Sequence, residues 1–534
     1  MFIPTLVMTT LVVVAQHQHP AGAIGDKLGT VNFSTSCSET AKPAFVRGLA
    51  LMHSFEFGPA IESFTAAGTA DPSCGIAYWG VALSRWGNPF AAGIKGPAVL
   101  KPGSEAVAKA KAMGAKTDRE RAYIDAVSNL FADFQSRDQR TRVLAYRDAM
   151  KAVAARYRDD PEASAFYALS LASSQDPTDM TYASLLEAGA ILEKLAPAQP
   201  DHPGFVHYII HAYDAPPLAA RALSAAQTYA KIAPSAPHAL HMPSHTFTRL
   251  GYWSDSIETN IASADAARRI KSTYEELHAM DYQMYAYLQL AQDASAKRLL
   301  GPLAELRGRF EEPGSAGAAP PLAGGYAIAA IPARYALERR VWSEAAALEV
   351  PTIPFANAQA ITWFAKGLGA ARTKNVAAAR AAVDALEQLR AKLAQGGETY
   401  WAEQVKIQHL GVSGWLAFAE GKKDDALTLL REAADREDKT EKNAVTPGPI
   451  APAREQLGEM LLEMHQPQAA LAAFEITLKK EPNRYRALAG AVLAEQQMKV
   501  NRAQSKYAKP WLDLTKKADG PARPELAAYT KGGR

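Results

Sequence analysis

AFVRGLALMHSFEFGPAIESFTAAGTADPSC, residues 44–74, reads as two helices joined by a short turn. Gly48, Ala60, Phe64, Ala67 and Pro72 recur at a spacing in which small residues let two helices approach closely. The text around it is alanine-rich at helical period, with few β-branched clusters and frequent short turns. Asp71-Pro72 and Asp160-Pro161 read as breaks between units, where the aspartate caps and the proline starts the next helix. The pattern returns at Trp363, Gly367 and Ala379, then at Gly414, Gly421, Ala426 and Ala433, and again at Leu457, Gly458, Leu461, Ala470, Phe474 and Pro482. One hairpin cannot bury its apolar faces without neighbours, so a stack of them is expected.

That register is similar to the roughly 34-residue tetratricopeptide (TPR) pattern. The resemblance implies an all-α fold, a TPR-type right-handed α-solenoid of helical hairpins. Along the chain, residues 1–15 read as a signal peptide and 16–43 as an N-terminal extended segment. Residues 44–310 read as a TPR-like solenoid, 311–325 as a Gly/Pro/Ala-rich loop separating a site-bearing half from a scaffold half, 326–516 as a second solenoid with its cap, and 517–534 as a frayed polar tail.

Composition narrows the class further. The 534 residues are 48% hydrophobic, and 59 Lys plus Arg against 55 Asp plus Glu leave only +4. No basic run marks a nucleic-acid footprint. The apolar run Phe2–Ala15 is too short to span a membrane, and Val13-Val14-Ala15 is an acceptable cleavage pattern, so a periplasmic or secreted protein is expected; a buried strand is the alternative. The two cysteines, Cys37 and Cys74, read either as one disulfide or as two buried thiols.

Chemistry gathers between His202 and Tyr282. This stretch holds His202, His207, His211, His238, His241, His245 and His278, out of 12 histidines in the chain. His207/His211 and His241/His245 are four apart on their helices, hence on one face, and each pair forms a two-toothed clamp for a metal ion. His238 joins the second face, and Asp214 and Asp281 read as ligands or as acceptors that fix an imidazole tautomer. The TPR resemblance implies that these residues, with His278, line the concave groove from three successive hairpins. Imidazole with carboxylate and no thiolate suits a divalent transition metal such as zinc, copper or iron. Pro243 interrupts the second helix, which alters which histidines converge. His53, His409 and His465 read as core residues.

The phrases HPGFVHYIIHAYD (202–214) and PHALHMPSHTFTRLGYWSDSIETN (237–260), with VTPGPIAPAREQLGEMLLE (445–463), resemble a family of bacterial exported TPR-repeat proteins. That resemblance assigns no reaction. Three functions stand: a metal-binding TPR protein; a hydrolytic or oxidative metalloenzyme with Tyr208, Tyr213 or Tyr282 as proton donor; and a metal-free scaffold for a peptide or protein partner in the groove. No GxSxG, P-loop, GxGxxG or HExxH occurs, which removes the commoner hydrolase, nucleotide and zincin readings.

Overall fold

The computed structural model describes residues 24–91, 93–310 and 317–531. The expected signal peptide, and residues 311–316 of the expected loop, lie outside the described residues. Those described form α-helices, turns and short 3-10 segments, with no strand among them. None of their helices is long and apolar enough to cross a membrane. The architecture is an α-solenoid of helical hairpins. Lys42–His53 packs on Phe57–Ala70, Ala356–Arg372 on Val376–Gln395, Thr399–Ala419 on Lys423–Asp438, and Ala453–Glu463 on Pro467–Lys480.

The period in the sequence has a steric cause. Phe64 is held between Gly48 and Gly80, where added Cβ atoms would stand 3.0 Å and 2.6 Å from its ring. Phe474 lies in the same way between Gly458 and Gly490, at the same residue spacing. The turn repeats as well. Phe55, Gly251, Ala291, Arg340, Lys374, Gly421 and His465 all take positive φ. The following N–H then reaches back into the last helical turn, from Glu56 to Leu51 O, Tyr252 to Phe247 O and Gln466 to Leu461 O, which satisfies carbonyls the helix end would leave open. A non-glycine residue in this conformation costs about 1–2 kcal/mol, so packing of the two helices holds the turn rather than local preference.

One apolar core runs from Ile24 to Phe247 and another from Ala291 to Tyr529, with smaller clusters between them on Trp253–Arg269 and Thr273–Gln289. The expected separating loop is therefore corrected. A helix starts inside it, at Pro321–Glu338, and packs on Thr273–Gln289 as the next member of the stack. Gly324 and Gly325, read as flexible text, are small because Tyr274, Phe310 and Phe355 press on them. The expected frayed tail is corrected too. Pro524–Lys531 is helical with Leu526 and Tyr529 buried, and Arg523 bonds Leu288 O and Asp293.

Cys37 and Cys74 form a disulfide that ties the N-terminal segment to the start of Gly75–Trp86. Ile24, Leu28, Val31 and Phe33 of that segment are buried, and Thr30 N–H bonds Asp201 O at 3.0 Å. At the other end the superhelix returns over its own beginning. Ile94 N–H bonds Glu398 at 3.1 Å, Glu441 N–H bonds Pro177 O at 3.2 Å, and Trp253 Nε1–H bonds Asn483 O at 2.9 Å. Residues 441–446 thus cross the groove of the N-terminal repeats, above the histidines.

Candidate metal centre

Six imidazoles meet in this groove as two groups of three. The helix Pro203–Ala212 carries His207 and His211, one turn apart on the buried face. The short helix Pro237–His241 brings His238 to them, and the ligand atoms of the three lie within 4.8 Å of one another. His241, His245 and His278, from Pro237–His241, Pro243–Leu250 and Thr273–Gln289, form the second group under the same limit. All six are buried.

The assignment of His238 to the second face is corrected. Pro243 has no N–H to donate, so the helix ends after His241 and restarts. In the short piece before it, His238 faces the helix Pro203–Ala212, and its Nε2 stands 3.2 Å from His207 Nε2. Asp281 belongs to neither group of three. It is paired with Arg334, 2.8 Å from Nε. Asp214 acts as an acceptor behind the first rank, with its Oδ2 2.9 Å from His245 Nδ1. Although burial alone would raise its pKa, Lys442 and Arg249 hold the Asp214 carboxyl well below the usual range.

Hydrogen bonds fix which nitrogen of each ring is bare. His241 Nδ1 is 2.7 Å from Asn260 Oδ1, and Asn260 Nδ2 donates to Ser256 O, which sets the amide's orientation. His245 Nδ1 faces the Asp214 carboxylate, and His207 Nδ1 lies 2.6 Å from the His53 carbonyl. Oxygens without protons require N–H donors, so these three Nδ1 atoms carry the proton and the three Nε2 atoms carry lone pairs. Yet His241 Nε2 and His245 Nε2 stand only 3.1 Å apart. A proton between them would make an imidazolium. Burial, then the neighbouring His278 and His245, push His241 well below its ordinary value, and burial lowers His245. The spacing is compatible with a shared metal ion: with bonds of about 2.05 Å, adjacent ligands of a tetrahedral site would be about 3.3 Å apart. His211 Nε2, His238 Nδ1 and His278 Nδ1 are buried without hydrogen-bond partners.

The two groups adjoin. Ring centroids of His211 and His245 are 5.9 Å apart, and those of His238 and His241 6.0 Å. Between them lies a cavity of about 20 Å³ bordered by His211, His238, His245 and His278, roomy enough for one water-sized ligand. Of the three tyrosines, Tyr282 stands over the second group, its hydroxyl 3.3 Å from His245 Nε2 and from the Ala444 and Thr446 carbonyls. Tyr208 bonds His53 instead, and Tyr213 packs under Arg221 away from the histidines.

A third grouping was not foreseen. His53, read as a core residue, lies with Glu162 and His202. The ring nitrogens sit 2.9 Å and 3.0 Å from the two oxygens of Glu162, so each oxygen has an imidazole nitrogen as its hydrogen-bond partner. This is a hydrogen-bonded brace behind His207, whose Nδ1 meets the His53 carbonyl. Burial would raise the Glu162 carboxyl, but His53 and the hydrogen bonds from both histidines hold it down at about 2. A depressed carboxyl stabilises the fold above its unfolded pKa near 4.5 and loses that contribution as pH falls toward 2, here about 3 kcal/mol. The Glu162→Gln variant is expected to show a correspondingly flatter loss of stability over that window in denaturation curves. An acid limb as steep as wild type would contradict this.

Sequence reasoning missed this brace and Lys442, which reach the centre from distant repeats, and also Asn260, which faces His241 from the next helix of the same hairpin. Glu162 follows Asp160-Pro161, which signalled only a helix start.

No family model matches the chain, and no curated protein matches it. Among solved structures it is similar to the human IFIT1 dimer with m7Gppp-AAAA, with TM-score 0.38 and 9% identity over 90% of this chain and 96% of that one. It is also similar to Naa15/Naa10 bound to HypK-THB, at 0.25 and 11% over 92% and 91%. A third is the P58(IPK) TPR domain, at 0.20 and 12% over 87% and 99%. At these scores the likenesses carry no functional argument. The hairpin stack and the histidine groups define the class: a TPR-like helical-repeat scaffold with buried clusters of imidazoles.

Proposed function

We propose that this chain is an exported protein that binds divalent transition-metal ions, one at each three-histidine group. The observation that carries the reading is the pair of facing, unprotonated Nε2 atoms of His241 and His245 at 3.1 Å, each ring locked by a hydrogen bond at its other nitrogen. Locked imidazoles with oriented partners are how proteins prepare ligands before the ion arrives. The all-nitrogen donor set suits zinc, copper or iron, and the disulfide removes the only thiols from contention. That disulfide also favours an oxidising compartment.

A second reading, hydrolytic or oxidative catalysis, is favoured by the donor count. Three imidazoles leave an open coordination position, and the 20 Å³ cavity beside them has room for a small oxygen ligand. The third reading, a peptide laid on these histidines, meets their burial and the 441–446 segment above them; a protein partner elsewhere on the scaffold remains compatible with the fold. The test is elemental analysis of the purified protein, followed by titration of chelator-treated protein with Co(II) in the visible spectrum. Two ions per chain are expected. Protein without bound metal that also fails to develop a Co(II) ligand-field spectrum would sink the reading.

A further inference from the structure

We propose that the large cavity between the N-terminal repeats and the returning C-terminal repeats binds a small organic anion with an apolar body, whose acid group pairs with Lys95. The cavity borders His211 of the first group, but Lys95 belongs to neither histidine group. The cavity measures about 610 Å³, a size that takes a ligand of a few dozen atoms. Leu83, Trp86, Val143, Tyr146, Leu169 and Tyr208 make much of its wall apolar.

The charges around it are unequal in their commitments. Asp138, Asp176 and Asp179 accept from the backbone N–H groups of Thr141, Thr178 and Thr181, and Glu398 accepts from Ile94. Glu441 accepts from Tyr182, and Asp214 from Arg249. Each carboxylate thus has a hydrogen-bond donor, and Asp214 and Glu441 also face the Arg249 guanidinium. Among the cations, Lys442 is spent on Asp214, and Arg140 donates to Ser174 O. The Lys95 ammonium has neither acceptor nor carboxylate among the described residues and stands over the Trp86 ring at 5.1 Å. Burial pushes this amine down to about 8, so it still carries its charge at neutral pH. A cation beside an apolar wall without a counter-ion is costly, and an anion arriving with its own apolar surface removes that cost. Ammonium, indole face and hydrophobic lining together select an aryl or alkyl acid over a neutral or cationic molecule.

The probe is 8-anilinonaphthalene-1-sulfonate, titrated into the full chain and followed by its fluorescence, with decanoate and decanol as competitors. One saturable site is expected, displaced by decanoate and not by decanol at equal concentration. Lys95→Gln should weaken the probe about tenfold, the loss of one charge-assisted contact, while Lys95→Arg keeps it near wild type. Val143→Trp, which fills the cavity from another wall, should abolish binding with the circular-dichroism spectrum unchanged. Wild-type affinity in a folded Lys95→Gln or Val143→Trp variant, or equal competition by decanol, would overturn the proposal.

Discussion

Replacing His241 and His245 together by alanine is expected to lower the metal content from two ions to one per chain. Both imidazoles present Nε2 to the same point, and the double substitution leaves His278 alone in its group, while His207, His211 and His238 are untouched. A lone imidazole does not hold an ion against a chelator. The neighbouring variants Asp214→Asn and Asn260→Ala keep all six rings but loosen the bonds that fix them, and should weaken the second ion by about 10–100-fold. Competition with a chelator of known affinity measures both effects, and circular dichroism checks that the repeats still stack. A double variant that keeps two ions would mean that the facing nitrogens are not ligands.

The Arg334→Met variant is expected to lose about 3–5 kcal/mol of stability, because it strands a buried carboxylate. Arg334 and Asp281 are each 1% exposed at the side chain. The guanidinium also bonds the Pro449 and Gly448 carbonyls and Thr446 Oγ1, so it pins the segment that crosses above the histidines to the helix Thr273–Gln289. Burial raises the Asp281 carboxyl despite its partner, and without the arginine it has no counter-charge. Adding Asp281→Leu should restore most of the loss, since exchanging a buried ion pair for apolar side chains is far less costly than breaking it. Urea midpoints of the two variants decide the matter. A single variant within about 1 kcal/mol of wild type would show that water or another cation replaces the guanidinium.

Asp281 shows where reading the chain by itself stops. Its place in the repeat register pointed toward the groove, and it does lie among the inner residues, but Arg334 reaches it from the next hairpin and takes both oxygens. Nothing in the spacing of a single helix announces such a partner. The same holds for the turns: Gly251 and Gly421 were visible as glycines, whereas Phe55, Ala291, Arg340, Lys374 and His465 adopt the same left-handed conformation without the residue that signals it. In the opposite direction, Gly324 and Gly325 looked like loop and were close packing.

The sequence by itself determined the hairpin stack and the His207/His211 pair, since both follow from periodicity along one helix: glycine where a neighbouring ring presses, and imidazoles four residues apart on one face. Tertiary structure decided how those imidazoles are shared. It placed His238 with His207 and His211, set Asp214 and Asn260 behind the second group, gave Asp281 to Arg334, and folded residues 441–446 over the centre. The physical reason is range. A helix dictates what stands one turn away, whereas the superhelix alone dictates which distant side chains enclose a buried charge.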